Sequence, residues 1–430
     1  MPKSIVVLSD GTGQSVGRND SNVLRLCKLL DLSERSDQIA IYDPGIGTHV
    51  SLKRVETGLQ LSKRLQLADS NPETMLLRWL RQPLELGFGL GFTANIKQLY
   101  LALICEYELG DYIYLFGFSR GAFTVRALAG LIYRCGVLKK DSAAQVDAAL
   151  GWCKQHYTGL CPAQRVAYRA QVDAFRRQHS QPCNVHFLGV WDTVKSVGYL
   201  NPKAPPHTRH NPIVKHVRHA LSIDECRSFY LHTTWGGLDG ESRPAVYVPA
   251  SFDLDVTDND HRHPQDVKEV WFPGNHADVG GGYPKNESAP ANNSLRWMLA
   301  EAQCCGLSLD PQRYGVLFPR EEDEPVTYRH DEMSDHLTRR IGWALAEYAP
   351  RMTLHNEPPP PTKKFTSTPA GPRSIADSLR SVDKCLKVCI HESARGVYPE
   401  ASAPWRAVPE ASRRFVATID GARCGRSHRP

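Results

Sequence analysis

Long apolar runs are missing from this sequence, and so are the features of an exported precursor. No stretch approaches the roughly 18 consecutive apolar residues that a membrane-spanning helix requires. The apolar stretch near the N-terminus, Ile5–Leu8, is much shorter than the core of a signal peptide, and no cleavage site of small residues follows it. The sequence therefore predicts a cytoplasmic protein, with export by a signal-independent machine as the alternative.

Metal-binding and nucleic-acid-binding patterns are also missing. The 12 cysteines include no CxxC pair and no cluster with histidine at zinc spacing, so we expect buried, reduced thiols and neither a metal nor an organic cofactor. No zinc-finger or aromatic RNA-binding signature is present, and nucleic acid is not an expected partner. Much of the net charge of +6 lies in the last 20 residues, which carry five arginines and one aspartate. Such a tail is more often a solvated terminus than a contact for anionic lipid or nucleic acid.

Short apolar runs alternate with segments of helical periodicity. The runs are typical of buried strands, at Ser4–Asp10, Ala40–Tyr42, Tyr112–Phe116, Val185–Trp191, Ala245–Val248 and Val267–Phe272. The periodic segments predict helices over Asn22–Leu30 (N-cap Ser21), Ala94–Leu109, residues 120–133 (C-cap Gly136), Ile213–Phe229 and Ser294–Cys305. Strands that alternate with helices favour an α/β fold with a mostly parallel central sheet flanked by helices.

The sequence Gly117-Phe118-Ser119-Arg120-Gly121 is the strongest indication of chemistry. It fits G-x-S-x-G, the nucleophile elbow, in which a strand turns sharply into a helix and holds the serine in a strained backbone conformation. Gly117 and Gly121 let strand and helix approach closely, so that the Ser119 hydroxyl projects at the carboxyl edge of the sheet. The β-prone run before the motif and the helical pattern after it are the context this elbow requires. We therefore predict a nucleophile at Ser119; the alternative is a turn of small residues without a catalytic role.

A serine nucleophile needs a base and a carboxylate that orients the base. In α/β-hydrolases the acid and then the histidine follow the serine along the chain. Asp192 ends the run VHFLGVW and is predicted to lie at the same sheet edge as Ser119, although a turn-forming aspartate would look alike. His276 follows the run VKEVWF in a glycine-rich stretch, which we expect to form a flexible loop reaching the elbow. His219 and His391 are the reserve candidates, and His219, in a predicted helix, is more typical of a packed structural histidine.

The oxyanion of an acyl-transfer intermediate is stabilised by backbone N–H groups. The N–H of Arg120, at the start of the helix after the elbow, is the first candidate. The second is expected from the loop after the first strand, where Gly11 and Thr12 are the candidates. Asp10 either holds this loop through hydrogen bonds to neighbouring N–H groups or forms a simple turn, and both interpretations stay open.

Several stretches, taken together, resemble a known family. They are VVLSDGTGQ, YDPGIGT, GDYIYLFGFSRGAFTVRALAGLI, FLGVWDTVKSVG, VRHALSIDECRSFY, VWFPGNHADVGGGY and IHESARGVYP. In order and content they are similar to the α/β-hydrolase domain of type VI secretion phospholipase effectors of the first lipase family. The resemblance implies a lipid-ester hydrolase whose nucleophile, acid and histidine match Ser119, Asp192 and His276. It also implies an ester or phospholipid substrate, a peripheral membrane contact, and a secretion-machine or immunity partner if the chain is an effector.

Composition divides the chain into a large domain and a C-terminal segment. We predict an α/β-hydrolase catalytic domain over residues 1–350, with a polar helical insertion at about 139–181. The proline-rich stretch 357–373 predicts an exposed linker or loop. Residues 374–430 are predicted to form an appendage that ends in the basic tail.

Three other interpretations differ in their chemistry. A phosphatase of the haloacid-dehalogenase type would share LSDGT, but it needs a nucleophilic aspartate where Leu8 stands and is excluded. A non-catalytic adaptor on the same scaffold is disfavoured by the complete candidate triad. A soluble esterase for short acyl chains would use the same triad and stays open. An insertion at 139–181 that forms a lid over an apolar cleft would favour a lipase instead.

Overall fold

Strands and helices alternate in a computed structural model, which describes residues 2–11, 19–33, 36–45, 53–55, 92–154, 161–194, 208, 210–227, 230, 232–235, 246–248, 263–319, 326, 329–331, 351–355, 362–366, 388–395, 397–398, 404 and 413–416. The strands are β1 Ser4–Ser9, β2 Gln38–Asp43, β3 Lys53–Val55, β4 Tyr112–Phe118, β5 Val137–Leu138, β6 Ser180–Gln181, β7 Val185–Trp191, β8 Val214–Ser222, β9 Val246–Tyr247, β10 His263–Pro264, β11 Asp266–Phe272, β12 Arg351–His355, β13 Thr362–Thr366, β14 Val388–His391 and β15 Arg413–Val416. The α-helices are α1 Asn22–Leu29, α2 Phe92–Glu106, α3 Arg120–Cys135, α4 Val146–Lys154, α5 Pro162–His179, α6 His276–Gly280, α7 Ala289–Cys304 and α8 Pro311–Leu317. Short 3-10 helices cover Lys140–Gln145, Lys285–Glu287 and Glu392–Ala394. Among these helices none is both long and apolar enough to cross a bilayer.

The described residues form one large sheet with the strand order β15-β14-β11-β8-β7-β4-β1-β2-β3. Every neighbouring pair in it is parallel except β2 with β3. Parallel neighbours need a crossover connection, usually a helix, and helices precede or follow β1, β4 and β11 in the described chain. The predicted α/β fold with a mostly parallel central sheet is confirmed. The predicted strand at Ala245–Val248 is present as β9, but it pairs with β10 outside this sheet.

Both faces of the sheet are buried beneath helices. Successive side chains of a strand point to opposite faces, so each strand contributes to two apolar clusters. On β1, Ile5 and Val7 belong to one apolar cluster and Val6 and Leu8 belong to another. The first cluster packs against α2, α3 and α4, and the second packs against α1, α7 and α8. The predicted caps hold as well: the Ser21 side chain accepts the Leu24 N–H, and Gly136 ends α3 with a positive φ of 73°.

The helix predicted over Ile213–Phe229 is wrong, because the chain there forms the central strand β8. A strand that is buried on both faces lacks alternation between polar and apolar residues, and the spacing of its apolar residues resembled that of a helix. Its buried polar residues are paired: His216 with Asp266 on β11, and Arg218 with Asp266 and with Glu301 on α7. Sequence periodicity does not detect such contacts with distant elements.

The sequence did not indicate where the polar insertion and the C-terminal segment lie relative to the central sheet. Lys139 N–H donates to the His179 carbonyl, so both ends of the insertion lie near the start of β7, at the sheet edge opposite Ser119. In the predicted linker, β13 pairs with β12 as an antiparallel hairpin. Strands β14 and β15 extend the central sheet beyond β11, so part of the predicted appendage is integral to the main fold. The remainder of 357–373 and of the basic tail lies outside the described residues.

The described cysteines are mostly free thiols, and Cys27, Cys135, Cys153, Cys183 and Cys305 are buried. Burial raises the pKa of Cys27 to about 12, so this thiol stays protonated. Cys304 is disulfide-bonded, and the expectation of reduced thiols does not hold there.

Candidate active site

Ser119 stands at a strained turn between β4 and α3. Its backbone has φ 58° and ψ −121°, a conformation that a residue other than glycine rarely adopts and that costs about 1–3 kcal/mol. A Cβ at Gly121 would lie 2.1 Å from the Ser9 carbonyl oxygen, and one at Gly117 would lie 2.6 Å from the Gly121 carbonyl oxygen. No larger residue fits at either position, so the two glycines of the motif are a steric requirement of this elbow.

Asp192 directly follows β7 and is fully buried beside the elbow. Ser119 N–H donates to the Trp191 carbonyl at 3.1 Å, which connects the two strand ends directly. The Asp192 backbone has a positive φ of 38°, a second strained position. Its Oδ1 accepts the Ser222 N–H at 3.2 Å, and its Oδ2 lies 2.6 Å from Nδ1 of His276.

His276 is the first residue of α6, a helix of five residues. The Asn275 side chain caps this helix by accepting the N–H groups of Ala277 and Asp278. The flexible loop expected around His276 is therefore wrong, because a capped helix start fixes the residue. The capping pair Asn275 and Asp278 stands in the sequence, three residues apart, and was the signal for it.

The imidazole of His276 is enclosed by two aromatic rings. The rings of Phe118 and Tyr230 each lie 4.6 Å from it, centroid to centroid. Burial lowers the pKa of His276, while the hydrogen bond with Asp192 opposes this shift. The Nε2 atom is buried and has no hydrogen-bond partner among the described residues. The structure thus brings Asp192 and His276 into contact. It places Phe118, the residue before Ser119, against the same ring. The Ser119 hydroxyl makes no hydrogen bond to Nε2 of His276.

A second carboxylate touches His276, and sequence reasoning missed it. Glu225 is buried, and its Oε2 accepts the backbone N–H of His276 at 3.2 Å. Arg227 holds this carboxylate at 2.8 Å through Nε and at 2.6 Å through Nη2. The Arg227 guanidinium also lies 4.1 Å over the ring of Tyr230. These residues follow β8 in the stretch DECRSFY, but only the contact with His276 gives them a role.

The loop after β1 adjoins the elbow. A Cβ at Gly11 would lie 3.4 Å from Cβ of Ser119. The Gly11 N–H, a candidate oxyanion donor, donates to Oδ1 of Asp10 at 2.7 Å. Oδ2 of Asp10 accepts the hydroxyls of Ser21 and Tyr42, and burial raises the pKa of Asp10 to about 6. Asp10 therefore holds this loop, while the other candidate, Thr12, lies outside the described residues.

The reserve histidines are engaged elsewhere. His219 lies on β8, bonds Glu269 through Nδ1 at 2.8 Å and accepts the Thr193 N–H through Nε2. Nδ1 of His391 lies 2.9 Å from the Ser393 hydroxyl, and its ring stacks on Phe272. Within the described part of the chain, no three histidine, cysteine or acidic residues are arranged to hold a metal ion.

Comparison with known proteins identifies a family model that matches more than half of the chain. The family model described as "T6SS, Phospholipase effector Tle1-like, catalytic domain" matches residues 3–301. An uncharacterized protein of Saccharomyces cerevisiae, YEL023C, is 27% identical over 72% of this chain and 58% of its own length.

Two solved structures are similar over large parts of the chain. An uncharacterized protein from Pseudomonas aeruginosa has a TM-score of 0.39 at 20% identity, covering 74% of this chain and 48% of its own. The Tle1 effector bound to the VgrG spike of the type VI secretion system has a TM-score of 0.31 at 14% identity, covering 89% and 93%. The chain thus spans only 58% of the yeast relative and 48% of the Pseudomonas protein.

Proposed function

The chain belongs to the family of Tle1-like catalytic domains of type VI secretion phospholipase effectors, and from this premise we propose that it hydrolyses acyl esters of lipids. Phospholipids are the favoured substrate class, because the family is named for phospholipase effectors. A partner in the secretion machine and a peripheral contact with the membrane belong to the same proposal.

One observation supports the chemistry above all others. Nδ1 of His276 bonds the buried carboxylate of Asp192 at 2.6 Å, while its Nε2 is buried and without a partner in the described residues. A carboxylate bonded to Nδ1 holds the proton on that nitrogen and leaves Nε2 unprotonated, which is the form of a general base. The strained elbow of Ser119 lies one residue from Phe118, which packs on the same ring.

In the proposed reaction, Ser119 Oγ attacks the carbonyl carbon of the ester. Nε2 of His276 takes the hydroxyl proton as the bond forms and then donates it to the departing alcohol. Water repeats the same steps on the acyl-enzyme and releases the fatty acid. Asp192 keeps the imidazole in the required tautomer and stabilises its charged form.

The oxyanion of each tetrahedral intermediate needs N–H donors. We assign one to Arg120, whose N–H belongs to the first turn of α3, where the helix dipole also favours negative charge. Thr12 is the second candidate, since the Gly11 N–H is directed to Asp10. Loss of one such donor costs about 2.7–4 kcal/mol of transition-state stabilisation in comparable enzymes.

The test is a panel of p-nitrophenyl esters of increasing chain length, together with vesicles of phosphatidylcholine and phosphatidylglycerol. Wild type and Ser119→Ala are compared, and a fluorophosphonate probe reports the reactive serine independently. Release of fatty acid from vesicles that is lost in Ser119→Ala supports the proposal. Hydrolysis of short esters alone would favour a soluble esterase. Neither hydrolysis nor labelling would favour a non-catalytic adaptor.

A further inference from the structure

A buried histidine and a glutamate form a second pair directly behind the candidate acid. His219 on β8 is fully buried, and its Nδ1 lies 2.8 Å from Oε1 of Glu269 on β11. Its Nε2 accepts the backbone N–H of Thr193 at 3.2 Å. A ring nitrogen that accepts an N–H carries no proton, so the proton of the neutral ring is on Nδ1 and is donated to Glu269. Burial lowers the pKa of His219, which favours this neutral form.

The peptide that His219 holds follows the strained residue Asp192. A positive φ in a residue other than glycine persists only where its surroundings fix it. Strand β8 supplies three such contacts. The Ala220 carbonyl accepts the Asp192 N–H at 2.8 Å, and the Ser222 N–H donates to Asp192 Oδ1 at 3.2 Å. The third contact is Nε2 of His219, on the peptide N–H of Thr193.

We propose that His219 and Glu269 are positioning residues, which fix the peptide after Asp192 and thereby aim its carboxylate at His276. The pair acts through Asp192, so the proposal rests on the proposed function of this carboxylate as the catalytic acid. Glu269 is itself fixed, because its Oε1 also accepts the Trp235 N–H at 2.6 Å. Without an acceptor at residue 219 the Thr193 N–H is left unpaired in the interior, and the 192–193 peptide loses one of the contacts that fix it, while the Thr193 carbonyl still accepts the Thr233 N–H.

The same two strands contain a matched control. His216 and Asp266 are paired residues of β8 and β11, three positions before His219 and Glu269. Nδ1 of His216 lies 2.8 Å from Oδ2 of Asp266, so the contact between the side chains is alike. This pair lies toward the start of the two strands, about 10 Å further from the carboxyl edge that carries Asp192.

The experiment compares wild type with His219→Gln, His219→Asn and His216→Asn in the ester assay. The amide oxygen of glutamine can stand where Nε2 of His219 accepts the Thr193 N–H, whereas the amide of asparagine is one methylene shorter and can replace only the contact with Glu269. We expect His219→Asn to lower kcat about 100-fold with KM nearly unchanged, since a small misplacement of a catalytic group has this effect. His219→Gln should retain most of kcat, and His216→Asn should retain kcat even where it lowers the melting temperature.

Equal kcat in the two His219 variants, or an equal loss in His216→Asn, would overturn the positioning role. If His219→Asn does not fold, Glu269→Ala is the second variant, and an unchanged kcat there would also overturn it. Wild-type activity with an unaffected His219→Asn would contradict this inference alone. A wild type that neither hydrolyses an ester nor reacts with the fluorophosphonate would end the proposed function and this inference with it.

Discussion

Asparagine in place of Asp192 is the sharpest test of the proposed triad, because it changes one atom in a fully buried site. Oδ1 accepts the Ser222 N–H, and Oδ2 accepts the proton on Nδ1 of His276. The amide oxygen of asparagine can replace only one of these acceptors. If it stays with Ser222, its NH₂ group meets Nδ1 of His276, which must then give up its proton. The imidazole proton moves to Nε2, the nitrogen that has to accept the proton of Ser119.

The structure indicates which orientation the amide takes. Turning the oxygen toward His276 would set the NH₂ group against the Ser222 N–H, donor against donor, in the interior. An unsatisfied buried donor costs about 1–3 kcal/mol, which is a preference of about 5- to 150-fold for the orientation with the wrong tautomer. Serine hydrolases with the same change at the triad acid lose about 10⁴-fold in kcat, or roughly 5 kcal/mol of transition-state stabilisation.

We therefore expect Asp192→Asn to fold and to lose about 10³- to 10⁴-fold in kcat. The assay is p-nitrophenyl ester hydrolysis, with the rate of fluorophosphonate labelling as a second readout and circular dichroism as the check on folding. Asp111→Asn is a suitable control, since this largely buried aspartate precedes β4 at the opposite sheet edge and pairs with Lys3. A folded Asp192→Asn protein with kcat within tenfold of wild type would refute the tautomer argument.

Three further predictions follow from the same geometry. Gly121→Ala should unfold the protein or lower its melting temperature strongly, because the new Cβ would lie 2.1 Å from a β1 carbonyl oxygen, whereas Gly151→Ala, with nothing within 4 Å, should be neutral or stabilising by thermal denaturation. In the pH profile of kcat/KM, the midpoint of the acid limb should lie below the ordinary histidine pKa of about 6.5, since burial lowers the pKa of His276. Glu225→Gln removes a charge that raises this pKa and should move the limb to lower pH; a limb that stays or moves upward would contradict the assignment. The folded state holds the Asp10 proton more tightly than the unfolded chain, because burial raises the pKa of Asp10 to about 6. Stability should therefore fall by about 3 kcal/mol as the pH rises from about 4 to about 6, and urea unfolding of Asp10→Asn should lack this slope.

The elbow could be predicted from the sequence because its requirements are local. Two glycines at fixed spacing around a serine, between a β-prone run and a helical pattern, leave few other arrangements. The position of Asp192 could be predicted for the same reason, since the residue after a buried strand lies at the carboxyl edge of a parallel sheet.

Contacts made by residues distant in sequence could not be predicted. Glu225 has no sequence signal that relates it to His276, and its role appears only when β8 and β11 lie side by side. His219 looked like a helical, packed residue because its strand is buried on both faces and its polar partners come from β11. The sequence also did not indicate that part of the predicted appendage belongs to the central sheet, because the pairing of β14 with β11 cannot be recognised from composition.

The spacing of the candidate triad along the chain has a consequence for synthesis on the ribosome. Ser119 follows β4 and His276 follows β11, and about 160 residues separate them. At about 5–20 residues per second, roughly 10–30 s pass between the emergence of the serine and that of the histidine. In the proposed reaction, the nascent chain would carry a nucleophile without its base throughout that interval. A triad assembled from distant strands would keep the unfinished polypeptide inert toward lipid until the sheet has formed as far as β11.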